Sequence, residues 1–181
     1  MIDQFRRGFL FSTASAVAMS MAACVPLSQY QGLQNAYNQL KAEYNADQAE
    51  IVLLEGKLKV TLKDQILFPE GGARLTPQSE AVLRKMVPTL ASLKQTKVVV
   101  DGYTDNVPIG PELRSEGIAS NLDLSSRRAD VVANYLIRQG VSQNLVSAQG
   151  FGEANPVASN STPEGRAKNR RIEVTLVGPG N

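Results

Sequence analysis

The chain contains no histidine, and its only cysteine is Cys24. Without histidine, Ser-His-Asp and Cys-His nucleophile arrangements are excluded, and so are the common zinc sites. A lone cysteine closes no internal disulfide, so an oxidising compartment is compatible with it. An excess of charge is missing too. Lys and Arg total 19 against 17 Asp and Glu, a net of +2 over 181 residues, with no basic cluster. Nothing in that balance steers the chain toward nucleic acid. The apolar run at residues 8–23 is too short for a comfortable membrane span. The length allows one compact domain plus an appendage. A carboxylate enzyme and a binding module both remain open on composition alone.

Residues 1–23 read as an export signal, with Arg6 and Arg7 ahead of an apolar stretch rich in small residues. That stretch ends in Met21-Ala22-Ala23-Cys24, which resembles a lipobox. The resemblance implies lipidation of Cys24, which would become the new first residue. The alternative is an uncleaved anchor helix with an incidental cysteine. Arg6-Arg7-Gly8-Phe9-Leu10 also resembles a twin-arginine export signal in part. Val25 stands where aspartate often marks inner-membrane retention in lipoproteins, which leans toward the outer membrane. Removal of the signal leaves 17 basic and 16 acidic residues, so attraction to an anionic polymer would have to be local.

From Tyr30 the apolar positions step by three and four through Leu33, Tyr37, Leu40, Tyr44, Ile51, Leu54 and Leu58. This spacing predicts an amphipathic helix over residues 30–58, about 43 Å long at about 1.5 Å per residue. Three outcomes fit it. The helix could act as a coiled-coil spacer and oligomerise the chain, it could fold back on its own domain, or it could lie on a lipid surface. Three tyrosines and Asp47 in the seam, with Glu50 and Glu55 facing each other across a parallel dimer, weigh against the first.

The remainder reads as interleaved strands and helices. Residues 57–63 alternate as a half-buried strand, and residues 66–68 suggest a second short one. Thr76-Pro77 is a cap followed by a first-turn proline, and Pro88 should kink or end the helix it starts. Residues 97–103, with three consecutive valines, suggest a central strand. Residues 105–121 form a long loop with two prolines and two glycines, of the kind often tied to function. A helix follows and stops near Gly140. Residues 145–149 and 170–177 are strands, and 155–165 is a polar connection. The expected fold is α/β: a two-layer sandwich, with a mixed sheet of about four strands, two main helices, and the long N-terminal helix in front. The segments are 1–23 signal, 24–56 helical linker, 57–177 domain and 178–181 tail.

Residues 121–136 organise the chain. Ser125 is a suitable N-cap, and Ala129, Val132, Ala133 and Leu136 form a buried stripe. Arg128 then falls in the first turn, where a cation opposes the helix dipole. That placement suggests a task, with its guanidinium and free N–H groups together holding a carboxylate.

The segment follows Asn-x-x-Leu-Ser-x-x-Arg-Ala-x-x-Val-x-x-x-Leu at Asn121, Leu124, Ser125, Arg128, Ala129, Val132 and Leu136. On this pattern the chain resembles the OmpA-like peptidoglycan-binding domain family. Residues 98–105 resemble that family's strand and Gly-His-Thr-Asp turn, with Tyr103 where histidine is more usual. Gly150-Phe151-Gly152-Glu153 and residues 165–173 resemble its closing segments. The similarity covers roughly residues 57–177.

The resemblance implies non-catalytic binding of the peptide stem of peptidoglycan, anchored on the zwitterionic end of diaminopimelate. Asp105 would take the ammonium and Arg128 the carboxylate, whose two oxygens suit a guanidinium better than a lysine. Ser125 would share the carboxylate, Thr104 and Asn121 would orient the ligand, and Leu124 would hold the helix entry. Asp105 and Arg128 could instead pair with each other as a structural salt bridge. Arg166, Arg170 and Arg171 read as bracing residues, Arg127 as solvated, and Tyr103 as packed. No metal or cofactor is implied. The whole protein would tether the outer membrane to the cell wall through lipid on Cys24, facing the periplasm, or anchor a larger envelope machine such as a stator or secretion complex.

Overall fold

The structure, a computed structural model, describes residues 27–179. The expected export signal and Cys24 lie outside the described residues. The chain builds one mixed sheet with its helices packed on one face. Helix α1 (Leu27–Glu43) leads into the hairpin β1 (Ala49–Leu54) and β2 (Lys57–Lys63), then the short α2 (Asp64–Leu67). Helices α3 (Pro77–Arg84) and α4 (Val87–Ser92) precede β3 (Lys97–Tyr103). Then come α5 (Pro111–Ser115), α6 (Asn121–Arg138), β4 (Val146–Gly150), α7 (Pro163–Asn169) and β5 (Arg171–Val177). The strand order is β1-β2-β5-β3-β4, antiparallel except for the β3–β4 pair.

Cross-strand register explains the core. Leu58, Leu176 and Val98 align across three strands, as do Val60, Val174 and Val100. All six are buried, and with Ala129, Val132 and Leu136 of α6 they form one apolar cluster. The expected two-layer α/β sandwich is therefore present. β3 is an interior strand, as its valines suggest, with Val98 and Val100 buried and Val99 half-buried.

The N-terminal helix is present but shorter than expected. Helix α1 ends at Glu43, and residues 49–54 form the fifth strand of a sheet expected to have about four. Ile51, Leu54 and Leu58 fit a helical step, but Ala49, Ile51 and Leu53 also alternate inward. Glu55-Gly56 closes a two-residue hairpin with Leu54 opposite Lys57, and Gly56 takes the positive φ of 66° that such a turn needs. The helical seam is used within the chain. Leu33, Ala36, Leu40 and Tyr44 are buried in the domain's own core, and the Tyr44 hydroxyl donates to Val82 O at 2.7 Å. Most of the described stretch expected as linker thus packs on the domain, with Leu33, Leu40, Tyr44, Ile51 and Leu58 of the seam buried and Leu54 exposed.

Two smaller differences share a cause, local hydrogen bonding that overrides composition, while the break expected at Pro88 is found. Residues 66–68, expected as a strand, lie in and just after the turn of α2, closed by Phe68 N donating to Asp64 O at 2.9 Å. The polar connection near 163 contains α7, capped by Thr162 and opened by Pro163. This is the same Thr-Pro signal that correctly marks the start of α3, where Thr76 accepts from Ser79 N at 3.2 Å. Around Pro88 the chain ends one helix at Arg84 and begins another at Val87, so the proline falls in a first turn. Among the described residues no helix is long and apolar enough to cross a membrane.

Candidate functional site

Helix α6 begins at Asn121, four residues before the expected cap. Ser120 is the N-cap and accepts from Asp123 N at 3.1 Å, while Asp123 Oδ2 accepts from Ala119 N at 3.2 Å. Arg128 therefore sits two turns inside the helix, and the free N–H groups of the helix end lie away from it. This corrects the expectation that Ser125 caps the helix and that the helix end shares a ligand with Arg128. The Ser125 hydroxyl is fully buried, donates to Leu122 O at 2.9 Å and accepts from Gly152 N at 2.8 Å. It fastens the helix to the Gly150–Gly152 turn and does not line the cleft. That close packing depends on missing side chains. A Cβ on Gly102 would run into Ser125 O, and one on Gly150 into the N and Oγ of Ser126.

Above this contact lies a cleft of about 990 Å³. Its walls come from α2 and the Pro69–Gly71 turn, the end of β3, the loop through α5, α6, and α7 with the residue after it. Thr104, Asp105, Asn121, Leu124 and Arg128 all line it, so the expected set meets in one place except for Ser125.

Asp105 and Arg128 do not pair with each other. Asp105 Oδ2 accepts from Arg170 Nη1 at 2.6 Å, and Oδ1 accepts from Val107 N at 3.0 Å. Arg128 Nη1 lies 3.0 Å from Asp64 Oδ1, and Nε donates to Gly72 O at 2.8 Å. The Phe68 ring lies 5.2 Å beneath its guanidinium. Arg128 is 3% exposed and Asp64 7%. Burial pushes the Asp64 carboxyl up from its ordinary value, against the pull of Arg128 and Arg170, and Asp105 adds to the rise. Burial likewise lowers Arg128, while Asp64 and Asp105 act to restore it and Arg170 opposes them. For both partners the cost of leaving water exceeds the gain from pairing.

Two alternating ion pairs thus share the cleft, cross-linked by Asp64 N donating to Arg170 O at 3.1 Å. Asn121 Nδ2 lies 3.0 Å from Val107 O, 3.3 Å from Asp105 O and 3.2 Å from Glu153 Oε2, so its amide holds the loop that carries Asp105. Leu124 packs with Ala73, Ile109 and Ile118 in a small apolar cluster under the loop. Thr104 Oγ1 is buried without a hydrogen-bond partner, the one such side-chain atom among the described residues. Buried hydroxyls are rarely left so, and this one belongs to a residue of the cleft wall.

Sequence reasoning missed Asp64 and gave Arg170 only a bracing role. Arg170 carried a signal, since it belongs to the closing segment of the matched pattern. Asp64 looked like a turn residue, and nothing in its neighbourhood marked it as facing an arginine far along the chain. Arg127 is exposed, as expected. Tyr103 packs, stacked on Phe151 at 5.1 Å with the Arg171 guanidinium 3.7 Å from its ring.

Residues 67–170 match the pattern of the OmpA family. The peptidoglycan-binding protein ArfA of Mycobacterium tuberculosis is 39% identical over 123 residues, 68% of this chain and 35% of ArfA. The probable lipoprotein YiaD of Escherichia coli is 40% identical over 117 residues, 65% of this chain and 50% of YiaD. This chain therefore spans about half, or less, of the length of these curated relatives. The solved cell wall anchor of the T6SS from Pseudomonas aeruginosa superposes with a TM-score of 0.67 at 29% identity, covering 83% of this chain and 96% of that one. On the extent of the matched pattern, the chain belongs to the OmpA family.

Proposed function

We propose that this chain binds the peptide stem of peptidoglycan through the zwitterionic end of diaminopimelate, and so fastens the envelope to the cell wall without catalysis. The reading is supported chiefly by one observation. Asp105 and Arg128 reach one cleft from separate elements, beside a buried threonine hydroxyl that lacks a partner. Asp105 takes the ligand's ammonium, Arg128 its carboxylate, and Thr104 supplies a hydrogen bond. Asn121 and Leu124 act by holding the loop and helix entry in place. The likeness to ArfA, a peptidoglycan-binding protein, and to the Pseudomonas aeruginosa cell wall anchor supports the same chemistry. Lipid on Cys24 and an outer-membrane location facing the periplasm complete the proposal, in keeping with the likeness to YiaD, a probable lipoprotein.

The protein without its signal should co-sediment with purified sacculi. Asp105→Ala and Arg128→Ala should each abolish this while the far-ultraviolet circular dichroism stays that of a folded chain. Binding retained by both variants would defeat the site. The likeness to a secretion-system anchor favours a second reading, in which wall binding serves a larger machine. A stable protein complex recovered with the lipidated chain would favour that reading over a simple tether.

A further inference from the structure

Apart from exposed Glu70 and Glu112 and half-buried Arg166, the charges lining the cleft form two ion pairs, one more than a zwitterionic ligand needs. Asp64 and Asp105 are balanced by Arg128 and Arg170, so the four groups sum to zero. Asp64 faces the same guanidinium that would take a ligand's carboxylate, at 3.0 Å. It cannot withdraw into solvent, because it is 7% exposed and its backbone is tied to Arg170 O and Phe68 N. Nε of Arg128 is occupied by Gly72 O, which leaves Nη2 as the guanidinium nitrogen without a protein acceptor among the described residues. A carboxylate arriving at Arg128 therefore meets Asp64 across the guanidinium, with Asp105 close by.

We propose that Asp64 determines the specificity of this cleft: it competes for Arg128 and keeps a second anion beside it, so that only a head group carrying both a carboxylate and an ammonium leaves the local charge balanced. A carboxylate alone adds an unpaired negative charge to a buried site, and an ammonium alone an unpaired positive one. Like charges brought together away from water repel one another, which disfavours either. The ligand class follows: free amino-acid head groups are accepted, and the same group with its carboxyl amidated or its amine removed is refused. This inference rests on the binding reading given above.

The test uses three soluble tripeptides that differ only in the side-chain end of the third residue: diaminopimelate (both charges), lysine (ammonium only) and 2-aminopimelate (carboxylate only). Isothermal titration of the protein should rank diaminopimelate above each of the others by tenfold or more. Asp64→Asn should raise affinity for the 2-aminopimelate peptide and shrink its gap from diaminopimelate by roughly tenfold. Asp64→Glu, which keeps the charge, should preserve the wild-type ranking. An unchanged ratio in Asp64→Asn, or in Asp64→Ser if the asparagine variant does not fold, would overturn the proposal. So would neutral variants that both unfold while Asp64→Glu does not, since Asp64 would then be a structural counter-ion only. Failure of the wild-type protein to bind the diaminopimelate peptide would instead defeat the binding reading itself.

Discussion

The two ion pairs of the cleft use the same chemistry at different depths. Arg128 and Asp64 have side chains 3% and 10% exposed, whereas Arg170 in the other pair is 36% exposed against 8% for Asp105. The deep pair has lost its water on both sides and is held by the fold around it. The rim pair keeps one partner in solvent. Depth therefore separates the two arginines: Arg128 is enclosed with its counter-ion, whereas Arg170 reaches solvent and can turn aside more easily.

Breaking the deep pair should have the largest effect. Arg128→Ala leaves Asp64 buried without a partner and should cost about 3 kcal/mol in urea unfolding. The double variant Asp64→Asn/Arg128→Ala should recover a clear part of that loss, because the stranded charge is gone. Full additivity of the two single changes would mean that the pair is not coupled.

The next effect reads the same pair through pH. Asp64 is raised above its ordinary value of 3.8, so the folded chain holds that proton more tightly than the unfolded chain does. Its contribution to stability is complete below 3.8 and is lost as pH climbs through the raised folded value. Relative to Asp64→Asn, the wild-type protein should lose stability from pH 3.8 upward, over the interval in which Asp64 ionises. Thermal unfolding of both proteins across that interval checks the sign, and a wild-type protein that gains on the variant would reverse the argument.

The rim pair should matter least to folding. Arg170→Ala should cost less than Arg128→Ala, because Asp105 keeps its bond from Val107 N and Arg170 is the more exposed arginine, and the loss should shrink in high salt. A loss as large as that of Arg128→Ala would erase the distinction between the deep pair and the rim pair.

These differences in depth also mark what the sequence could convey. The buried stripe of α6, the Thr76 cap and the central valines of β3 are local patterns, and each folds as its spacing implies. Asp105 and Arg128 were legible because they sit inside a matched motif. The pairing was not: Asp64 carries no local signal, and Arg170, although inside the matched closing segment, is set opposite Asp105 by sheet order and the turn after α7. The start of α6 was misread for a related reason. Ser120 and Ser125 are both good caps, and the choice falls to Ser120 because Ser125 is needed by Gly152. The 49–54 strand was lost to a helical step that its alternation also satisfied, and only the Glu55-Gly56 turn separates the two.

The central claim is that a ligand's two charges are divided between Asp105 and Arg128. A crystal structure of the protein soaked with the diaminopimelate tripeptide tests this most directly. The account predicts the ammonium about 3 Å from the Asp105 carboxylate and the carboxylate at a similar distance from Arg128, with Thr104 Oγ1 hydrogen-bonded to the head group. A peptide bound elsewhere on the fold, or one seated in the cleft with Arg128 still held by Asp64 alone, would contradict it.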